Sequence, residues 1–194
     1  MAKTGNQLKG YNTDWLGFTK ALEENGITIK GKDCLILGAG GVARAVTYAA
    51  IKSEPTSITI ANRTRQKADS LASWINTVNS KIKVNSISLE EADTVTKVQI
   101  VINCTSLGMS PNSYTSPFTS HDLGQYHLLV DTVYSPPVTR FLSDGSTAGA
   151  RTMGGLDMFI YQGLASLDLW FAKPISQQIN VRSCLLYTSD AADE

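Results

Sequence analysis

Histidine and cysteine are scarce in this 194-residue chain, at two and three residues. Two histidines argue against a multi-histidine metal centre, so no metal is expected. Cys34, Cys104 and Cys184 are odd in number, far apart and without metal-ligand spacing. They suit a reducing cytoplasm better than a disulfide framework. A charge of one sign is lacking too: Lys+Arg and Asp+Glu both number 17. That balance leaves no electrostatic footprint for nucleic acid or an anionic membrane. No apolar run approaches the roughly 18 residues that span a bilayer. The opening "MAKTGNQLKG" has no apolar stretch of the kind a secretory leader carries, and a cytoplasmic location is expected. Internal repeats and low-complexity linkers are missing as well. What remains is 42% hydrophobic, ordinary for a globular chain of one domain or one and a half.

The pattern of apolar residues alternates between two periods. "WLGFTKALEENG" places Leu16, Phe18 and Leu22 near one helical face, with Gly26 as its stop. "DCLILGAG" reads as a strand and "GGVARAVTYAAIKS" as a helix with a small-residue face. "SITIANR", "KIKVNSIS", "VQIVINCTS" and "HLLVDTVYSPP" read as further strands. Between them, "TRQKADSLASWINTV" has helical spacing, and Ser88 to Glu91 forms a Ser-x-x-Glu box opening a short helix. "TRFLSDGSTAGA" contains a short helix, and "RTMGGLDMFIYQGLASLDLWF" becomes a long apolar one. This order predicts an α/β fold: a Rossmann-type doubly wound parallel sheet with helices on both faces. Ligands of such sheets bind beyond the carboxyl ends of the strands.

The first of those strands ends in "LGAGGVARA". Gly38, Gly40 and Ala43 fit the G-x-G-x-x-[G/A] dinucleotide fingerprint, lying where it must, between strand and helix. Ala39, Gly41 and Val42 complete the turn, and the helix start offers free N–H groups to a pyrophosphate. The next strand ends "IANRT". An NAD-preferring site has an acid there, for the ribose 2′-hydroxyl. Here Asn62, Arg63 and Thr64 stand instead, and arginine can pair with a 2′-phosphate, so NADP is the expected cofactor. Asn103 and Thr105, ending a later strand, either line the nicotinamide side or cap turns. Tyr134, with Asp131 at the same strand end, either meets a ligand or is structural. Met158 and Gln162 lie four apart on one helical face after Gly154 and Gly155. Gln162 needs a partner there, a substrate hydroxyl or a backbone group. The stretch "GYNTDW" at the beginning reads as a helix cap that could also carry a site.

Taken together, "GYNTDWLGF", "LILGAGGVARAV", "ANRT", "INCTSLGM", "DTVYSPPVTRFL" and "GGLDMFIYQGLASLDLW" resemble the shikimate dehydrogenase family, over roughly residues 8 to 175. The resemblance implies NADP-dependent reduction of 3-dehydroshikimate to shikimate, on the route to aromatic amino acids and chorismate. It implies an N-terminal substrate domain and a C-terminal NADP domain, with a homodimer as the expectation for the full-length enzyme. It gives Asp14 a catalytic role beside a lysine, and substrate contacts to Asn12, Asp14, Tyr134 and Gln162. It gives cofactor contacts to Gly38 through Ala43, to Asn62, Arg63, Thr64, Thr105 and Met158, and to Gly155 near the nicotinamide. A general acid must protonate the alkoxide that hydride transfer forms, and a lysine beside a carboxylate suits that task.

The family's lysine lies well upstream of its Asn-Thr-Asp motif, and only 11 residues precede Asn12 here; neither Lys3 nor Lys9 sits in its motif. The chain is therefore expected to be a piece of a longer enzyme. Residues 1–18 would be a junction with a missing substrate domain, 19–175 the NADP domain, and 176–194 a truncated final helix followed by a non-native tail. The alternatives are an NADP-binding module without catalysis and a quinate/shikimate dehydrogenase favouring NAD. A methylene-tetrahydrofolate dehydrogenase is disfavoured by the Asn-Thr-Asp motif with Tyr134 and Gln162.

Overall fold

The computed structural model describes residues 2–4, 7–95, 97–118 and 123–180. The expectations for residues 183–194 lie outside them. A small antiparallel hairpin comes first, β1 (Ala2–Thr4) with β2 (Gln7–Lys9). The hydrophobic pattern gave no sign of it. Next come α1 (Asp14–Glu24), β3 (Asp33–Leu37), α2 (Gly41–Lys52), β4 (Ser57–Asn62), α3 (Arg65–Val78) and β5 (Lys83–Ser88). A 3-10 turn over Leu89–Thr94 leads to β6 (Ile100–Asn103), and β7 (Leu128–Asp131) follows. The chain continues through α4 (Arg140–Thr147), β8 (Arg151–Met153) and α5 (Leu156–Phe171), and a 3-10 turn over Ile175–Gln178. That last turn stands where the sequence suggested the beginning of a final amphipathic helix.

Six strands form one sheet in the order β5-β4-β3-β6-β7-β8, every pair parallel. The order reverses at β3, which pairs with β4 on one side and β6 on the other. This is the arrangement of two mononucleotide-binding halves, and the crevice at the reversal is where it takes ligands. β3, β6 and β7 read as continuous apolar runs because both of their faces are covered. One core lies under α1, α2, α3 and α5, centred on Phe18, Ile36, Val46, Ile60 and Ile102. The other, holding Leu35, Val101, Leu129 and Phe141, lies under α4 and short 3-10 turns. Helices cover both faces as expected, unequally.

The alanine face of α2 buries Ala43, Ala49 and Ala50 completely, which brings this helix close onto the sheet. The Ser88–Glu91 capping box is formed: Glu91 accepts from the Ser88 N–H at 2.7 Å. β8, an edge strand of three residues paired only with β7, is an addition to the sequence reading. α1 and α5 cross tightly at Gly17, where a Cβ would sit 2.6 Å from the Gln162 nitrogen and the Met158 carbonyl. No side chain fits at that crossing without moving backbone.

Candidate functional site

The carboxyl ends of the strands bring most of the singled-out residues to one edge of the sheet. After β3, Gly38 has φ +108°, and a Cβ there would lie 2.9 Å from the Cys104 carbonyl oxygen. Its N–H donates to the Ala61 carbonyl at 2.7 Å, tying the turn to the end of β4. Gly40 is the N-cap of α2 and supplies no side-chain cap, and the first turn of the helix carries no acid. Around Gly40 and Gly41 the space is open, with nothing within 4 Å of a Cβ position. An uncapped helix start under open space is a cradle for an anion. The donor set therefore fits a dinucleotide pyrophosphate.

At the end of β4, Asn62 donates its amide to the Thr64 carbonyl at 2.9 Å, and Thr64 is the N-cap of α3 without a side-chain cap bond. Arg65 is engaged by Asp69 at 3.0 Å and Glu91 at 3.4 Å. Arg63 is exposed and forms no ion pair among the described residues. Of the two arginines, Arg63 is the one whose charge is unspent. No acid stands at this strand end, and its chemistry fits a 2′-phosphate.

The ends of β6 and β7 are joined by a buried polar network. Asn103 donates to Asp131 Oδ1 at 3.0 Å and to the Leu107 carbonyl at 3.2 Å. Its own oxygen accepts from the Thr105 N–H at 3.0 Å and the Thr105 hydroxyl at 2.7 Å. Between the two readings left open for Asn103, the structure selects the turn-capping one: the residue is fully buried. Asp131 is fully buried too, and also accepts from the Val133 N–H at 3.0 Å and the Thr139 hydroxyl at 2.6 Å. Burial pushes its carboxyl above the usual carboxylate range, against the pull of those three hydrogen bonds. Asp131 and Thr139 had no assigned part in the sequence reading. The signal was a lone acid closing the apolar run of β7, eight residues before a Thr that opens a helix.

Tyr134 is 46% exposed and stacks on Phe159, ring centroids 4.4 Å apart at 19°. Phe159 went unnoticed in the sequence, where it reads as one more apolar residue of α5. Gly155 is the N-cap of α5, and its N–H donates to the Val133 carbonyl at 3.1 Å. A Cβ on Gly155 would stand 2.4 Å from the Thr132 carbonyl oxygen. Met158 is 7% exposed and packs into the core beneath α1, α2 and α3. Gln162 donates to the Phe159 carbonyl at 3.0 Å, and its side-chain oxygen accepts from the Thr13 hydroxyl at 3.4 Å. Thr13 also shares a 3.0 Å hydrogen bond with Ser166. Tyr134, Phe159, Gln162 and Thr13 thus form one continuous line of contacts. The Asn-Thr-Asp stretch, remote in sequence, is docked on α5 beside the glutamine.

Within that stretch, Asn12 Oδ1 accepts from the Asp14 N–H at 2.9 Å, and Asp14 is the first residue of α1. The N-cap of α1 is Thr13, which makes no side-chain cap bond; Asn12, one residue earlier, meets the first N–H of the helix instead. The Asp14 carboxylate has no ion pair with a lysine among the described residues, and the Lys9 ammonium lies over the Tyr11 ring instead.

Three comparisons bear on this geometry. Residues 20–112 match the family model described as shikimate/quinate 5-dehydrogenase. A shikimate dehydrogenase (NADP(+)) of Caldicellulosiruptor saccharolyticus is 40% identical over 171 residues, covering 87% of this chain and 60% of the relative. The crystal structure of shikimate 5-dehydrogenase from Listeria monocytogenes, in complex with shikimate and NAD, superposes with a TM-score of 0.80 at 29% identity. It covers 88% of this chain and 62% of that one. The enzyme of Thermus thermophilus, in complex with NADP(H) and shikimate, does so with a TM-score of 0.71 at 32% identity, covering 87% and 59%. The chain spans about 60% of the length of the curated relatives it matches.

Proposed function

We infer that this chain, which belongs to the shikimate/quinate dehydrogenase family, binds NADP and serves an oxidoreductase that interconverts 3-dehydroshikimate and shikimate. The observation that carries the reading is the pairing of an uncapped, acid-free helix start after β3 with an Arg63 that has no ion pair among the described residues, where an NAD site would hold an acid. Gly38 through Ala43 would hold the pyrophosphate, and Asn62, Arg63 and Thr64 the 2′-phosphate. Thr105 and Gly155 would face the nicotinamide. When bound, the cofactor supplies or accepts the hydride. Tyr134, Gln162, Asn12 and Asp14 offer the hydrogen-bonding groups that a polyhydroxy acid requires for selective binding. The Asp14 carboxylate would stabilise the charged form of an adjacent acid, which the family places on a lysine.

A second reading is an NADP-binding module without turnover. It is favoured by the Asp14 carboxylate having no cationic partner among the described residues. Cys34 and Cys104 are free thiols, which fits a cytoplasmic setting, and burial pushes the Cys34 thiol up to about 12. A homodimer of the full-length enzyme rests on the family resemblance alone.

Titrating the chain with NADP and with NAD tests the cofactor assignment. Wild type is expected to prefer NADP, and Arg63→Ala to lose about tenfold or more in NADP affinity with little change toward NAD. Unchanged NADP affinity in that variant would sink the assignment. Adding shikimate and NADP and following the absorbance of the reduced cofactor separates the enzyme from the silent module.

A further inference from the structure

We infer that Asp131 is a positioning residue for the nicotinamide half of the cofactor site, through a buried carboxylate that fixes the spacing of the loops ending β6, β7 and β8. The inference rests on the NADP reading above. In a sheet of this order the two halves divide the dinucleotide: the glycine turn and β4 serve the adenosine half, and β6, β7 and β8 are left for the other.

Asp131 shows no surface, so it cannot touch a ligand itself. What it touches are one backbone N–H and two side chains, each from a different segment at the carboxyl end of the sheet. Through Asn103 it reaches the loop carrying Thr105, whose N–H and hydroxyl both end on the Asn103 oxygen. Through the Val133 N–H it holds the loop leading to Tyr134. The carbonyl of that same Val133 accepts the Gly155 N–H, which links the start of α5 to the set. Through Thr139 it reaches the N-cap of α4, because the Thr139 hydroxyl also accepts from the Leu142 N–H at 3.4 Å. A second strap runs alongside, where the Thr132 hydroxyl donates to the Asn103 carbonyl at 3.0 Å. Gly155 then packs against Thr132 so closely that no side chain fits between them.

Placing a carboxylate where no water reaches it is costly unless each lone pair is met. Here both oxygens are met, and every donor belongs to a different loop or cap. Neutral packing would join two loops at less cost, but it would not set three of them at hydrogen-bond precision. One residue thereby determines how far Thr105, Tyr134 and Gly155 stand from one another.

The experiment is an equilibrium titration of the 194-residue chain with two probes, NADPH and 2′,5′-ADP; the latter keeps the adenosine phosphates and lacks the nicotinamide. Thr139→Val removes one of the three donors, and Asp131→Asn alters the acceptor while retaining its shape. Thr139→Val is expected to weaken NADPH binding about fivefold to tenfold, and to leave 2′,5′-ADP within about twofold of wild type. Thr139→Ser, which keeps the hydroxyl, restores NADPH affinity. Asp131→Asn follows the same split between probes. A parallel loss of both ligands overturns the inference, as does no loss of either. A wild-type chain that binds NADPH no tighter than 2′,5′-ADP also overturns it, since the nicotinamide half would then add nothing. If wild type binds neither probe, the cofactor reading itself falls and takes this inference with it. Should Asp131→Asn fail to fold, the Thr139 pair alone decides.

Discussion

Single atoms show where this chain sets stability against other demands. The Thr47 hydroxyl is buried on α2 with no hydrogen-bond partner among the described residues, an unusual state for a buried polar group. Replacing it with a methyl of the same shape removes a desolvated oxygen and keeps the packing. Thr47→Val is therefore expected to stabilise the fold by about 1 kcal/mol, read as a rightward shift of the urea midpoint with an unchanged slope. Arg63 could be singled out at this scale, because charge at a strand end is a property of the residue itself. Asn103 and Tyr134 were legible only as pairs of alternatives. Whether a polar side chain turns inward to cap a loop or outward to a ligand depends on neighbours that are distant in sequence. Asp131 illustrates the limit. Its three donors sit at positions 103, 133 and 139, and only one of them is within two residues of it.

Elements announced themselves in proportion to their length and periodicity. Five strands and five helices follow the apolar pattern, and the Ser88–Glu91 box is formed as its spacing foretells. β8 was hidden because its three residues, Arg151–Met153, run directly into the glycines that open α5, and an edge strand buries too little to show alternation. The hairpin of β1 and β2 was hidden for a similar reason: three-residue strands have no period to read. The tight crossing of α1 and α5 was equally invisible, since Gly17 in the middle of a helix looks like a weakness rather than a fitting. Gly17→Ala would improve helix propensity by about 1 kcal/mol, yet the added Cβ meets backbone 2.6 Å away. The clash is expected to win, with a net loss of about 1–3 kcal/mol in denaturant unfolding. A stabilised Gly17→Ala chain would show that the two helices separate more readily than their packing suggests.

As a whole, the molecule is a neutral α/β sheet whose carboxyl edge is assembled from both of its halves. A cofactor that engages only the folded crevice must raise the melting temperature by mass action. At a hundredfold excess over its dissociation constant, NADP is expected to add about 2.7 kcal/mol, or roughly 5–10 °C for a chain of this size. NAD at the same concentration should add distinctly less, and equal shifts would count against an Arg63-based preference. The docking of Thr13 onto Gln162 and Ser166, 149 and 153 residues away along the chain, has a consequence for how the protein is made. As the ribosome delivers it, α1 emerges long before its tightest neighbour, α5, exists. Phe18, Ala21 and Leu22 must wait with an incomplete seat until the whole sheet has been synthesised. Helix α1 is thus locked long after its own synthesis, and a nascent chain halted before α5 leaves that apolar face open to chaperones.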